Sequence, residues 1–295
     1  MNKVSILLGP DGSEASARAG QFALWLAARA NARIEAIHII DSTLIDQLVQ
    51  YNRPGIIGSG PFLAARETIT EAMQKVGEAL TEKFQALADG NAIEASTAVC
   101  LGNPSEVLLK LSSQHAFVVT GSTFRSGNKP GSLALNLADR IKTPYIVVSP
   151  EWQIPTRLSW LTTEQNNYDS YLQYGMLLAD TFGAEFDLEV AAQNLNKPQL
   201  LSLRDRAVAL VPAQNEASVK VVNIEGNILT ADEENRSLTI RSTSSTMTVL
   251  PVRSDGADNR TILGCAPSMV LNHIEGGAAI FYPICKETGE ALRCA

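Results

Sequence analysis

The segment Thr120-Gly-Ser-Thr-Phe-Arg-Ser-Gly-Asn-Lys-Pro-Gly-Ser132 sets three glycines, a proline and two cations between an apolar run and a helix-like stretch. These residue types suit phosphate chemistry. Gly121, Gly127 and Gly131 let backbone N–H groups come close to phosphate oxygens, and Gly131-Ser132 stand just before Leu133, where a helix start adds partial positive charge. The Ser132 hydroxyl can add a hydrogen bond, and Arg125 or Lys129 can pair with β- or γ-phosphates. Small, flexible residues are also what any strand-to-helix connection in a parallel sheet needs, so cradle and turn both remain open. The P-loop is excluded, because the order here is G-x5-G-N-K instead of G-x4-G-K-[ST].

A second cluster is Pro10-Asp11-Gly12-Ser13, directly after a short apolar run. Asp11 and Ser13 are both helix N-cap types, and Ser13 can cap while Asp11 faces a ligand. Ile39 and Ile40, at the end of another apolar run, offer backbone contacts to a base, with their side chains in a core. Gly58-Ser-Gly60 reads as a lid over such a site or as a surface loop. His38, His115 and His273 make no metal pattern, so each is read as structural. Cys100 reads as a small apolar residue, and Cys265, Cys285 and Cys294 lack zinc-ligand spacing. No nucleophile elbow, kinase signature or dinucleotide fingerprint occurs.

The elements that must position these residues alternate between strand and helix. Val4 to Leu8 is a short strand, Ala15 to Ala30 an amphipathic helix, and Ile34 to Ile40 a second strand. Asp41 to about Ala65 holds too many glycines and prolines for one element and reads as a partly helical insertion. Ile69, Met73, Val76, Leu80, Phe84 and Leu87 then mark a helix over Thr68 to Ala88. Ala95 to Leu101 is a strand, Asn103-Pro104 caps and opens a helix running to about Ser112, and Phe117 to Thr120 is a strand. Leu133 to Ile141 is a helix and Tyr145 to Val148 a last strand. Such an order implies right-handed crossovers in an open parallel sheet whose ligands bind outside the carboxyl ends of the strands. Asp11 and the glycine segment both fall at such ends.

After Pro150 the pattern starts again. Arg157 to Leu161 echoes Lys3 to Leu7, Phe182 to Leu188 echoes Ala30 to Ala36, and Val221 to Asn227 echoes Thr97 to Asn103. Leu238 to Thr243 echoes Phe117 to Ser122, and Thr248 to Val252 is matched to the last strand. In that alignment the second copy has neither the glycine segment nor its helix, and Gln165 stands at the place of Asp11, beside Glu164. One ligand per chain follows. The expected division is residues 1–150, a degenerate copy over 151–253, and a C-terminal extension over 254–295 whose apolar stretches, Thr261 to Cys265 and Ala278 to Cys285, are either added strands or a dimer-exchanged arm.

A chain of 295 residues with 45% apolar content can bury such cores. A net charge of −7 argues against binding nucleic acid or anionic lipid through diffuse positive charge. No stretch reaches the length of a membrane span and no secretory signal is present, so a soluble cytoplasmic protein is expected.

Ile6-Leu-Leu-Gly-Pro-Asp11-Gly-Ser13, His38-Ile-Ile40, Gly102-Asn-Pro104, Gly121-Ser122, Gly131-Ser132 and Pro144-Tyr-Ile-Val-Val148 together resemble the universal stress protein family. The whole chain resembles its tandem two-domain members. The resemblance implies an α/β fold with two universal-stress-protein-like, adenine nucleotide α-hydrolase-like domains, each an open, mainly parallel five-stranded sheet with flanking helices, paired through the last strand. It implies a role in stress endurance or signalling. The family's ATP-binding branch carries Gly, two residues, Gly, nine residues, then Gly and Ser or Thr; Gly121 matches the first glycine and Gly131-Ser132 the final pair. Phe124 stands where the second glycine belongs and Gly131 follows Gly121 by ten positions instead of thirteen, so Gly127 takes the second glycine's place in a shorter loop.

Carried over, the nucleotide site comprises Pro10, Asp11, Gly12, Ile39, Gly121, Ser122, Arg125, Gly127, Gly131, Ser132 and Leu133, with ATP and Mg²⁺ as cofactors. Asp11 would hydrogen-bond the adenine or ribose, or help hold Mg²⁺. The expected function is a non-catalytic, nucleotide-dependent signalling or interaction module with incidental ATP hydrolysis, an unidentified protein partner, an intramolecular domain pair and a homodimer as further partners. The alternative is a nucleotide-free interaction scaffold of the same fold. A true enzyme of the wider group, such as an ATP pyrophosphatase, is disfavoured because its serine- and glycine-rich loop after the first strand is missing.

Overall fold

The computed structural model describes residues 3–50, 60–122, 131–163, 169–191, 198–199, 201–202, 205, 209, 220–223, 243–254, 259–261, 266–271 and 277–284. In the first half the order is β1 (Ser5–Leu8), α1 (Glu14–Ala30), β2 (Arg33–Asp41), α2 (Ser42–Gln50), α3 (Gly60–Gly90), β3 (Ala95–Gly102), α4 (Pro104–Ser112), β4 (Phe117–Gly121), α5 (Ser132–Arg140) and β5 (Tyr145–Val148). The second half contains β6 (Arg157–Thr163), α6 (Asp169–Phe182), β7 (Glu185–Ala191), β8 (Lys220–Asn223), β9 (Thr246–Ser254), β10 (Asn259–Thr261), α7 (Pro267–Leu271) and β11 (Ala278–Ile284).

Local chemistry accounts for the helix ends. Ser13 Oγ accepts the Ser16 N–H at 3.1 Å, so α1 starts on a side-chain cap, and it ends where Asn31 turns left-handed at φ 49°. Asn103 Oδ1 takes the Glu106 N–H at 3.2 Å while Pro104 fills the first turn of α4, as the Asn-Pro pair predicts. The insertion resolves into α2 and α3. Asp41 Oδ1 accepts the Thr43 and Leu44 N–H groups at the start of α2, and Arg66 Nε meets Asp46 Oδ1 at 2.9 Å between the two helices. Residues 51–59, including Gly58-Ser59, lie outside the described residues.

All strands join one sheet in the order β3-β2-β1-β4-β5-β11-β9-β6-β7-β8, with β10 paired to β9. Within each half the pairings are parallel, except for β10 on β9, and the halves meet where β11 runs antiparallel to β5, with Ile280 opposite Ile146 and Phe281 opposite Tyr145. On one face Phe22 and Trp25 of α1, Trp152 and Phe182 of α6 form a cluster with ring centroids 5.3–6.1 Å apart that ties the halves together. On the other, Asn259 Nδ2 donates to the Ala138 and Ile141 carbonyls at the end of α5, and Asp139 Oδ1 accepts the Ser268 N–H at the start of α7.

This topology corrects the sequence alignment of the second half. β9 pairs with β6 as β4 pairs with β1, so Thr248 to Val252 stand at the place of β4, not of the last strand. The equivalent of β5 is β11, which comes from the segment read as a C-terminal extension. The connections from β4 to β5 (122–144) and from β9 to β11 (255–277) are equally long, so the second copy keeps a connection with a helix, α7, but spends part of it on the β10 hairpin. The physical reason is that apolar runs of similar length do not state which neighbour they pair with. Residues 238–242, 164–168, Cys285 and Cys294 lie outside the described residues.

The two halves differ chemically at one row of the sheet. In the first, Leu7 stands between Val118 and Glu35; in the second, Ser159 stands between Thr248 and Asp187. Leu7 and Val118 are fully buried in an apolar cluster, whereas Thr248 is equally buried and its hydroxyl has no hydrogen-bond partner among the described residues. Asp187 Oδ2 is held by Arg157 Nε at 3.0 Å, and burial pushes the nearby Glu189 carboxyl up. An unpartnered buried hydroxyl costs about 1 kcal/mol or more. Thr248→Val, close in shape and without that group, is therefore expected to raise the urea midpoint of unfolding, read by tryptophan fluorescence; a lowered midpoint would contradict this account.

Candidate functional site

The strand order reverses direction between β1 and β4, the crevice where open α/β sheets present loops to a ligand. The β1–α1 turn and the end of β4 meet there, joined by the Gly9 N–H donating to Val119 O at 3.1 Å. Pro10, Asp11, Gly12, Gly121 and Ser122 are thus brought to one edge.

The β1–α1 turn is held by its own side chains. Asp11 Oδ1 accepts the Ser13 N–H at 2.9 Å, and the Asp11 N–H donates to Ser16 Oγ at 2.9 Å. Ser13 is the α1 cap, so the two residues divide the roles that their types allow: Ser13 closes the helix and the exposed Asp11 shapes the turn. Gly12 sits at φ +85°, a left-handed conformation, and a Cβ there would lie 3.2 Å from Leu80 Cδ1 on α3.

Gly121 and Gly131 serve different ends. A Cβ at Gly121 would overlap the Ala15 carbonyl and the Ser16 nitrogen, so this glycine lets β4 pack directly on the first turn of α1. Ser122 is buried; its N–H donates to Val148 O at 2.9 Å and its hydroxyl accepts the Gly131 N–H at 3.1 Å, which pins together the two ends of the glycine segment. Gly131 itself has φ −59° and ψ 147°, ordinary for any residue, and among the described residues a Cβ there would meet nothing within 4 Å. It stands as the N-cap of α5 with no side-chain cap, Ser132 beside it is exposed, and Leu133 is half-buried against the apolar cluster on that face. Arg125, Gly127 and Lys129 lie outside the described residues.

Beneath the edge, Thr120 Oγ1 and the Tyr145 hydroxyl lie 2.6 Å apart, and burial pushes the Tyr145 phenol well up, opposed by that hydrogen bond. Ile40 is buried; Ile39 is half-buried and packs against the cluster that holds Leu7 and Val118, so its side chain belongs to the core as its type suggests. The structure adds three residues that sequence spacing did not assign to the site: His38, Gly77 and Leu80. His38 was read as structural, and its Nδ1–H donates to the Pro10 carbonyl at 2.9 Å. His115 is also built into the frame, with Nε2 3.5 Å from Glu35 Oε2 and a pKa lowered by burial. Among the described residues no group of three or more His, Cys, Asp or Glu side chains could hold a metal ion, and no helix is long and apolar enough to cross a membrane.

Residues 5–149 match the family model described as the universal stress protein family. The chain belongs to this family through its first half. A universal stress protein from Archaeoglobus fulgidus DSM 4304 is 18% identical with a TM-score of 0.59, over 95% of this chain and 98% of that one. A candidate universal stress protein from Pseudomonas aeruginosa UCBPP-PA14 is 9% identical with a TM-score of 0.52, over 95% and 93% of the two chains. Both likenesses show the fold across both halves. No curated protein matches the sequence.

The two glycines give a direct contrast. Gly121→Val is expected to cost several kcal/mol, because backbone atoms of α1 would have to move, whereas Gly131→Ala is expected to change stability by no more than about 1 kcal/mol. Urea unfolding of both variants checks this.

Proposed function

We propose that this universal stress protein binds ATP or a related adenine nucleotide in its first half and acts as a nucleotide-dependent signalling or interaction module. The observation that carries the reading is Gly131. Its backbone angles and the described residues around it would accept a side chain, so neither supplies a reason for a glycine there. A glycine at an uncapped helix N-terminus leaves the first N–H groups of α5 open to close approach by an anion, and a phosphate is the anion that such a terminus favours.

In this reading the phosphates rest on Gly131, Ser132 and Leu133, with Gly121 and Ser122 as the opposite wall and Arg125 and Gly127 in the intervening segment. Pro10, Asp11, Gly12 and the backbone of Ile39 face the nucleoside. Mg²⁺ would arrive with the phosphates, since these ions are commonly held by phosphate oxygens, waters and one or two carboxylates, here Asp11. The nucleotide supplies charge and contacts, not a reaction, and slow ATP hydrolysis is incidental. Because Gly12 lies against Leu80, occupancy of the turn is felt by α3, and a differential affinity of two α3 positions for nucleotide would alter the binding of a protein partner. Residues 1–150 carry the ligand, and residues 151–284 act as the degenerate structural partner.

Mass spectrometry of small molecules released from the purified, denatured protein is expected to find an adenine nucleotide, and millimolar ATP is expected to raise the melting temperature. Gly131→Val should fold and bind ATP at least about tenfold more weakly, because its side chain blocks close approach of an anion to the following N–H groups of α5. No released nucleotide together with no thermal shift would favour the nucleotide-free scaffold.

A further inference from the structure

His38 is a buried imidazole on β2, directly before Ile39, whose backbone is assigned to the nucleoside above. It has no catalytic or metal-binding neighbours among the described residues, yet three separate elements are shaped around it. Its Nδ1 lies 2.9 Å from the Pro10 carbonyl, and a carbonyl can only accept, so the proton is on Nδ1. On the other side of the ring runs α3, where position 77 is glycine. A Cβ there would come within 2.5 Å of His38 Cδ2 and 3.0 Å of Val99 Cγ1, so only glycine leaves the ring its place. One helical turn along, Leu80 of the same helix closes over Gly12. The β1–α1 turn is therefore gripped twice from α3, once directly through Leu80 and once through the imidazole wedged between Gly77 and Pro10.

We infer that His38 is the positioning residue of the nucleotide site: seated by Gly77, it holds the Pro10 carbonyl and so fixes the direction in which Asp11 and Gly12 face the ligand. The inference rests on the nucleotide reading given above. A turn that carries one left-handed residue and an exposed carboxylate has several alternative conformations open to it. The Asp11–Ser13 and Asp11–Ser16 hydrogen bonds fix its internal shape, the Gly9 N–H ties its start to β4, and among the described residues the His38 bond ties Pro10 to β2. Loss of that tie leaves the fold of β2 intact and releases the turn as a unit. The cost then falls on ligand affinity, because the turn has to be ordered at each binding event.

The test uses the full chain with three substitutions and two readouts. His38→Leu fills the space without a donor. His38→Asn keeps a donor, since Nδ2 of asparagine stands close to the place of Nδ1 of histidine. Gly77→Ala displaces the ring. Amide hydrogen exchange of the ligand-free protein reports the turn, and calorimetric titration with Mg·ATP reports the site. His38→Leu and Gly77→Ala are expected to speed exchange in peptides covering residues 10–16, with β4 and β5 unchanged, and to weaken ATP binding about five- to tenfold. His38→Asn is expected to recover most of both. Wild-type exchange and affinity in His38→Leu, or a His38→Asn variant as poor as His38→Leu, overturn the inference. Wild-type protein that binds no ATP overturns the functional reading instead, and the exchange of the turn then decides whether His38 holds it.

Discussion

The whole arrangement depends on the seam between β5 and β11. Each half has its own parallel strand order, and each would end at that side on an open edge of unpaired N–H and C=O groups carrying fully buried types such as Val147, Val148, Ala279 and Ile280. Pairing the edges antiparallel satisfies both sets of backbone groups at once. It also relates the halves by an approximate two-fold rotation, so the helices that flank one last strand must meet those that flank the other. α5 and α7 meet on one face, where Asn259 of β10 closes the end of α5 and Asp139 of α5 accepts from the start of α7, and α1 and α6 meet on the other through the tryptophan cluster.

The seam also explains how one half can keep a candidate site while the other changes. Once β11 has covered the edge of β5, the second half no longer needs a site of its own to be retained. Its central row has exchanged Leu7 and Val118 for Ser159 and Thr248, and its last connection forms a hairpin, β10 on β9, ahead of α7. The first half keeps an apolar row, a left-handed Gly12, and a helix start at Gly131 with no side-chain cap and no described residue filling the space beside it. The two topologically equivalent edges thus differ in the side chains of their central rows and in how the last connection is built.

Much of this was legible in the chain itself. Tyr145 to Val148 and the helix opened by Asn103-Pro104 fall where periodicity and capping place them, and Ser13 does cap α1. The glycines were legible as a group but not one by one. Gly121 answers a steric demand from the backbone of α1, Gly12 a dihedral demand, and Gly131 neither, yet all three are written with the same letter. Ser122, grouped with the ligand residues by resemblance, has its hydroxyl engaged by the Gly131 N–H.

By itself the sequence determined the alternation of strands and helices in the first half and the family of that half, because period, capping and glycine usage are local properties. Only the tertiary structure decided that the segment after residue 253 supplies the central strand β11, and that His38 and Gly77 belong with Pro10. Strand adjacency and the filling of space around a ring depend on contacts between residues far apart in the chain, and a run of apolar residues carries no mark of the neighbour it will meet.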